Sequence, residues 1–224
     1  MKPLLIGISG KAGTGKDTLA LLLASMLPHS QILKFATPLK EAAAAILHTP
    51  VASFEDPLFK KTLLPGELQQ QHSMKVLDEN TKPFWVNSVT AHDYRWFLQV
   101  LGTEVSRQLH PAIWIWSFFN SPRFDPTRTT LISDVRFKNE ANEIVRRGGI
   151  LLRVENSRLP KPTYLYSTPH ASEVELDNYP FDHTIHNNGT LSELESAAFN
   201  LYKQLTEQLC EPIEPPSVSP SCAA

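Results

Sequence analysis

The chain has 224 residues, of which 42% are hydrophobic and 20% are charged, as is typical of a globular protein that buries a substantial core. Its formal net charge is −2, which lacks the basic excess of nucleic-acid-binding proteins, and no run of about 18 apolar residues predicts a membrane span. The two cysteines, Cys210 and Cys222, lie at the end of the chain and favour a reducing compartment. We therefore expect a cytoplasmic protein that acts on small molecules, with neither nucleic acid nor membrane as a partner.

A glycine-rich segment near the N-terminus carries the clearest chemical signal. It has the sequence GKAGTGKDT and lies between a short apolar run and a helix-like run. Strand, glycine loop, lysine and helix are the parts of a P-loop, whose backbone N–H groups and helix N-terminus surround phosphates. The sequence therefore predicts an ATP-binding loop. Its nine residues are Gly10, Lys11, Ala12, Gly13, Thr14, Gly15, Lys16, Asp17 and Thr18.

The residue after the P-loop lysine departs from the usual pattern. Lys16 is expected to reach the β- and γ-phosphates, and a Ser or Thr that binds Mg²⁺ ordinarily follows it. This chain has Asp17 instead, which either binds Mg²⁺, directly or through water, or caps the start of the helix. Thr18 is a further candidate ligand for a phosphate oxygen or the metal. Both interpretations of Asp17 stay open at this point.

The rest of the chain alternates short apolar runs with helical patterns. The predicted strands are 4–9, 31–35, 129–133, 149–154 and 181–186, and the main predicted helices are 19–26, 37–47, 92–109, 137–147 and 190–209. Helices between successive strands favour parallel pairing with crossover connections. The pattern predicts an α/β, three-layer P-loop NTPase fold, with a mostly parallel sheet of about five strands and helices on both faces.

Two segments interrupt this alternation within one predicted domain, residues 1–209, and a tail follows the domain. Residues 48–91 mix prolines and lysines with few periodic runs, so they form either an insertion or lid over the active site or a surface loop with a short helix around 67–76. Residues 156–172 contain cations and prolines and are a second lid candidate. Residues 210–224 are rich in proline and serine and predict a disordered tail.

Polar side chains on the predicted helix 92–109 are candidates for substrate binding. Arg95, Thr103 and Arg107 step by four or eight residues along one stripe. Two arginines and a threonine at this spacing could bind a phosphate and a sugar, or they could form a solvated face of the helix. Trp114 follows in an aromatic cluster, where it either packs in the core or stacks on a base.

A carboxylate and an arginine follow the predicted strand 129–133. Ligands of open α/β sheets bind at the carboxyl ends of the strands, which puts Asp134 near Mg²⁺ or an attacking hydroxyl, with Arg136 beside it. Glu140 favours the dipole of the next helix or orients Arg136. Lys40 lies in the first turn of an earlier helix, where a cation opposes the dipole, so it either binds an anion or is a solvated surface lysine.

Several segments carry motifs beyond the P-loop. They are FATPLK at 35–40, LQVLGTE at 98–104, SDVRFKNEA at 133–141 and, more weakly, HASE at 170–173 and residues 182–189. Together with the Lys-Asp-Thr ending of the P-loop, these motifs resemble the phage deoxynucleoside monophosphate kinases. The resemblance spans the chain apart from 48–91 and the tail. It implies transfer of the γ-phosphoryl group of ATP to a deoxynucleoside monophosphate, with ATP and Mg²⁺ bound and nucleotides as the partners.

The resemblance also implies roles for the matching residues. The implied catalytic residues are Lys16, Asp134, Arg136 and Arg107, and the implied metal ligands are Asp17, Thr18 and Asp134. The substrate-binding candidates, from the resemblance and from the patterns above, are Lys40, Arg95, Thr103, Glu104, Arg107, Trp114, Arg136 and Glu140. Lys138 stands where the family usually has proline, which affects none of these roles.

Two other functions remain as alternatives. One is a P-loop kinase for a different phosphorylated acceptor, such as phosphomevalonate or dephospho-coenzyme A, since those kinases resemble this chain at the P-loop. The other is a non-enzymatic, ATP-dependent switch, which would bind ATP without acceptor-stimulated turnover. The accepted bases and the oligomeric state, a homodimer included, stay open.

Overall fold

A computed structural model describes residues 3–77, 83–160 and 170–208. The described residues form two compact units. We call the first the P-loop unit, which contains the chain up to Leu33 and from Asp125 onward, and the second the middle unit, Lys34–Phe124. The predicted tail and the central part of the lid candidate 156–172 lie outside the described residues. The prediction of a single domain over 1–209 stays a prediction.

The regular elements are as follows in chain order. The strands are β1 Leu5–Gly10, β2 Ser30–Leu33, β3 Gln70–Leu77, β4 Pro83–Thr90, β5 Thr129–Ile132, β6 Ile150–Glu155 and β7 His183–His186. The α-helices are α1 Lys16–Met26, α2 Thr37–Ile46, α3 Tyr94–Gln99, α4 Ser106–Leu109, α5 Ile113–Phe119, α6 Lys138–Arg146, α7 Ala171–Val174 and α8 Leu191–Gln208. A π-helical segment, Val100–Val105, joins α3 to α4, and 3₁₀ turns occupy Val51–Glu55, Phe59–Lys61 and Gly66–Leu68. No helix among these is long and apolar enough to cross a bilayer.

The P-loop unit contains a five-stranded sheet in the order β2-β5-β1-β6-β7. Every neighbouring pair in it is parallel, which confirms the predicted sheet. All four residues of β5 are buried, as expected for a strand covered on both faces. This order puts the carboxyl ends of β1 and β5 side by side, and the loops that carry the candidate residues begin there.

Helices cover both faces of this sheet, as predicted. On one face, Ile6 and Ile8 pack in a fully buried cluster with Leu19 of α1 and Leu201 of α8. On the other face, Gly7 lies under α6, and a Cβ added at Gly7 would come within 2.6 Å of the Ile144 side chain. The missing side chain therefore allows α6 to approach the sheet.

The middle unit is built from α2–α5 and a β-hairpin. Its buried cluster contains Ala43, Ala44, Phe54 and Leu98. Strands β3 and β4 pair antiparallel, from Gln70 opposite Thr90 to Leu77 opposite Pro83. The short helix considered for 67–76 is therefore wrong apart from a single 3₁₀ turn. The hydrogen-bonding partner of β3 lies up to 20 residues away, so local propensity does not reveal the pairing.

The predicted helix 92–109 is interrupted by the π-helical segment. The backbone N–H of Ser106 donates to the carbonyl of Leu101, five residues earlier, and its hydroxyl donates to the same oxygen at 2.6 Å. Gly102 lies in this segment against Leu39, whose Cδ2 would be 2.7 Å from an added Cβ. A wider turn changes the angular spacing of the side chains, so the regular α-helical spacing assumed for Arg95, Thr103 and Arg107 does not hold through this segment.

Candidate active site

The P-loop leaves the carboxyl end of β1 and turns into α1. Gly13 and Gly15 have φ angles of +80° and +93°, a conformation that residues with a Cβ rarely adopt. The buried hydroxyl of Thr14 donates to the carbonyl of Lys11 at 3.0 Å, and the Asn187 side-chain amide donates to the carbonyl of Thr14 at 2.9 Å. The loop is therefore held both by its own threonine and by the segment after β7.

Asp17 connects the P-loop to the end of β5. Helix α1 begins at Lys16 with Gly15 as its N-cap, so Asp17 is the second helical residue and does not occupy the N-cap position. Its Oδ1 accepts a hydrogen bond of 2.9 Å from the hydroxyl of the fully buried Ser133. The Lys16 ammonium lies 3.7 Å from the Asp17 Oδ2, and the Lys16 side chain is only 12% exposed. The contact with Ser133 brings Lys16 and Asp17 to the same sheet edge as Asp134, the residue after Ser133.

Glu140 fixes the backbone on the other side of Asp134. The residue is 3% exposed, and its carboxylate accepts hydrogen bonds from the backbone N–H groups of Arg136 at 2.8 Å and Phe137 at 3.1 Å. The prediction that Glu140 orients Arg136 stays a prediction for the guanidinium, while these bonds position the Arg136 backbone. The guanidinium donates from Nη1 to Glu173 Oε1 at 2.6 Å.

A pocket beside the P-loop is lined by three cations and two carboxylates. Lys11 donates to the backbone carbonyl of Glu173, and its ammonium lies 2.5 Å from Asp177 Oδ1. Arg153, on β6, is 9% exposed and donates to the same Asp177 oxygen at 3.3 Å. Arg136 and Glu173 form the remaining ion pair. The lining of this pocket therefore carries one more positive charge than negative charge.

The sequence motifs include neither Arg153 nor Asp177. An arginine inside the otherwise apolar stretch ILLRV was an available signal, since a charged residue is rarely buried without a partner. No sequence pattern pointed to Asp177, because it lies near Lys11 and Arg153 only in the folded structure.

The arrangement at the P-loop also fits a magnesium site. No group of three or more His, Cys, Asp or Glu side chains within the described ranges is placed to hold a metal ion. Mg²⁺ in nucleotide sites usually has one or two protein ligands, with phosphate and water oxygens as the others. The predicted set of Asp17, Thr18 and Asp134 suits such a site, because all three lie at the carboxyl edge of β1 and β5 or in the first turn of α1.

The remaining predicted residues belong to the middle unit. Lys40 is buried, and its ammonium lies 2.6 Å from Glu55 Oε1, so the solvated-lysine interpretation is wrong. Trp114 is 9% exposed and its indole N–H donates to the carbonyl of Gly102 at 2.9 Å, which supports the packing interpretation. Arg107 donates to the carbonyl of Pro111 at 3.1 Å. The other three predicted residues of this unit are Arg95, in α3, and Thr103 and Glu104, in the π-helical segment.

Comparison with known proteins adds evidence on the family of the chain. No family model matches the chain. It is 28% identical over 213 residues to a protein of Acanthamoeba polyphaga mimivirus described as a candidate deoxynucleotide monophosphate kinase, an alignment that covers 86% of this chain and 92% of that protein. It is also 28% identical over 188 residues to the deoxynucleoside-5′-monophosphate kinase of Escherichia phage T5, covering 63% of this chain and 71% of the phage enzyme. These relatives confirm the resemblance and support a phosphotransferase.

Proposed function

We propose that this protein is a deoxynucleoside monophosphate kinase, which transfers the γ-phosphoryl group of ATP to a deoxynucleoside monophosphate and releases ADP and the diphosphate. The observation that carries the proposal is the hydrogen bond between Asp17 and Ser133. It ties the phosphate-binding loop to the strand end from which Asp134 and Arg136 extend. The names of the two relatives support the choice of acceptor.

The P-loop would bind the donor. Its N–H groups and the Lys16 ammonium would contact the β- and γ-phosphates. The contacts of Thr14 and Asn187 support the loop, which favours a preorganised phosphate site. Asp17, Thr18 and Asp134 would hold Mg²⁺, which would supply positive charge to offset the negative charge of the phosphates.

The transferring phosphoryl group would meet an arginine at the same edge of the P-loop unit. Arg136 is the strongest candidate, because Glu140 fixes its backbone and Glu173 holds its guanidinium beside the loop. Exchange of Glu173 for a phosphate oxygen would let the guanidinium offset negative charge on the transferring phosphoryl group. An acceptor phosphate is already anionic at neutral pH, so direct in-line transfer needs positioning and charge neutralisation more than a strong base. Arg107 of the middle unit remains a proposed catalytic residue.

The experiment that tests the proposal measures ADP formation from Mg-ATP with dAMP, dCMP, dGMP, dTMP and their ribose counterparts, with Lys16→Ala as the blank. We expect ADP to form only with selected deoxynucleotides, and the variant to form almost none. Slow ADP formation at a rate that no acceptor changes would contradict the proposal. It would favour an ATP-dependent switch or a kinase for a phosphorylated acceptor that is not a nucleotide.

A further inference from the structure

A cluster of three aromatic rings in the middle unit brings distant charged residues together. The ring centroids of Phe54 and Phe59 are 5.7 Å apart, those of Phe54 and Tyr94 are 6.1 Å apart, and those of Phe59 and Tyr94 are 4.5 Å apart. Phe54 is fully buried, so the cluster is anchored in the core of the unit. A charged residue directly follows each ring in the sequence, and these residues are Glu55, Lys60 and Arg95.

Two further lysines meet at Glu55. The Lys40 ammonium lies 2.6 Å from one carboxylate oxygen, and the Lys34 ammonium lies 3.5 Å from the other. The Lys40 side chain is only 10% exposed, whereas that of Glu55 is 53% exposed. The carboxylate therefore covers buried positive charge but is itself open to solvent, so a competing anion can reach it.

The charges around Lys60 are unbalanced. Burial lowers the pKa of the Lys60 ammonium, and the nearby positive charges of Lys40, Arg95 and Lys34 lower it further, while Glu55 alone among the charges named here acts in the opposite direction. Burial by itself would raise the pKa of Glu55, but Lys40 and Lys34 lower it on balance, so the carboxylate is ionised at neutral pH. Within this part of the described chain, positive charge accumulates around one carboxylate.

We propose that Lys34, Lys40, Lys60 and Arg95, which we call the basic cluster, form an anion site that binds a phosphate group in place of the Glu55 carboxylate. A phosphate monoester carries up to two negative charges and three acceptor oxygens, which balances the cations better than one carboxylate does. Binding of phosphate as such needs only the middle unit. That the phosphate belongs to the acceptor nucleotide rests on the proposed function.

This site adds residues that the sequence motifs do not contain. Glu55 and Lys60 lie in 48–91, the segment outside the resemblance to known kinases. Burying like charges costs stability unless a ligand compensates it, so a purely structural cluster would gain from losing Lys60. The geometry therefore points to a binding role for the insertion, beyond that of a surface loop.

Calorimetric titration of the full chain tests the site without any turnover. The ligands are inorganic phosphate, the deoxynucleoside monophosphates and Mg-ATP, each alone, and the variants are Lys60→Gln and its exposed neighbour Lys61→Gln. We expect Lys60→Gln to weaken binding of phosphate and monophosphates by about tenfold, as for loss of one charged hydrogen bond, and Lys61→Gln to change it less than about twofold. Equal effects of the two variants would overturn the proposal.

The ligand panel also identifies the source of the phosphate. A loss confined to inorganic phosphate and monophosphates assigns the site to the acceptor. A loss confined to Mg-ATP would overturn that assignment, because the cluster would then contact the donor.

Thermal melts separate binding from folding. Removing the repelled charge should raise the melting temperature of Lys60→Gln, whereas loss of a structural lysine would lower it. Glu55→Gln should tighten phosphate binding several-fold, since the internal competitor loses its charge. Weaker binding by a folded Glu55→Gln protein would count against the proposal.

Failure of this inference and failure of the proposed function give different results. If the chain shows no acceptor-dependent ADP formation but its phosphate binding depends on Lys60, the anion site stands and the proposed function falls. If ADP formation is normal and Lys60→Gln leaves both acceptor affinity and acceptor KM unchanged, the proposed function stands and the anion site falls.

Discussion

The two units arrange their charges in different ways. In the P-loop unit, Arg136 pairs with Glu173, and Asp177 serves both Lys11 and Arg153. In the middle unit, Lys34 and Lys40 both contact Glu55, and the positive charges of Lys60 and Arg95 lie close by. Paired charges hold a site in shape before its ligand binds, while crowded like charges make a site that its ligand completes. The comparison predicts opposite stability effects when a cation is removed from each unit.

The largest expected effect comes from the paired arginine of the P-loop unit. Arg136→Gln should lower kcat by about 10²–10³-fold, because charge on the transferring phosphoryl group loses a positioned donor. Arg146→Gln is the matched control, since Arg146 lies on α6 with its side chain 68% exposed. Steady-state ADP formation measures both variants. Similar losses in the two would remove Arg136 from the site and weaken the distinction between the units.

The second effect concerns stability. Glu140→Ala removes a buried acceptor of two backbone hydrogen bonds and should lower the free energy of unfolding by about 3 kcal/mol. It should also lower kcat, because the Arg136 backbone loses its support. Urea unfolding and ADP formation measure the two effects. A stable variant with full activity would show that the sheet edge does not depend on this carboxylate.

These two residues also show how far the sequence could predict the site. The motif SDVRFKNEA pointed to Asp134, Arg136 and Glu140, because a carboxylate directly after a strand has a known position in a parallel sheet. Local signals of this kind predicted the five parallel strands, since a predicted helix follows four of them, namely 4–9, 31–35, 129–133 and 181–186.

Prediction failed where the contacts are distant in sequence. The hairpin β3–β4 depends on cross-strand pairing, and the π-helical segment depends on Ser106 and on the approach of Leu39 to Gly102. No sequence pattern pointed to a role for Lys60, because the aromatic rings and charges that surround it lie up to 35 residues away in the sequence. The middle unit is therefore the part in which the structure adds most.

A third prediction separates the metal role of Asp17 from its link to β5. Asp17→Asn keeps an acceptor for the Ser133 hydroxyl but loses the charge, whereas Ser133→Ala keeps the charge and loses the hydrogen bond. If Asp17 binds Mg²⁺, the Mg²⁺ concentration for half-maximal activity should rise about tenfold in Asp17→Asn, as expected for about 1.4 kcal/mol of binding free energy.

The Ser133→Ala variant supplies the control for this experiment. It should change the Mg²⁺ dependence little and lower stability by about 1 kcal/mol, the usual net value of one hydrogen bond. Equal Mg²⁺ dependence in both variants would assign Asp17 a structural role. Asp17 would then stabilise the structure of the P-loop unit without contributing to its affinity for Mg²⁺.

The smallest expected effect concerns Glu143 of α6, which resembles Glu55 in contacting two cations but pairs with cations that are themselves exposed. Its carboxylate contacts Arg146 and Arg147, each at 2.7 Å, and hydrogen bonds from these arginines lower its pKa from 4.5 to about 2 against the opposing effect of burial. A lowered pKa in the folded state stabilises the protein above the unfolded value, and this contribution disappears as the pH falls through about 2.

Because Arg146 and Arg147 are solvent-exposed, Glu143→Gln should lower the free energy of unfolding at pH 7 by only about 1 kcal/mol or less. The difference from the unsubstituted protein should stay constant down to about pH 5, shrink below the unfolded pKa of 4.5, and nearly vanish close to pH 2. Urea unfolding at a series of pH values measures it. A difference that does not change with pH would mean that Glu143 stabilises the protein through packing. A carboxylate between two cations would then add little to the free energy of unfolding unless, like Glu55, it covers a buried charge.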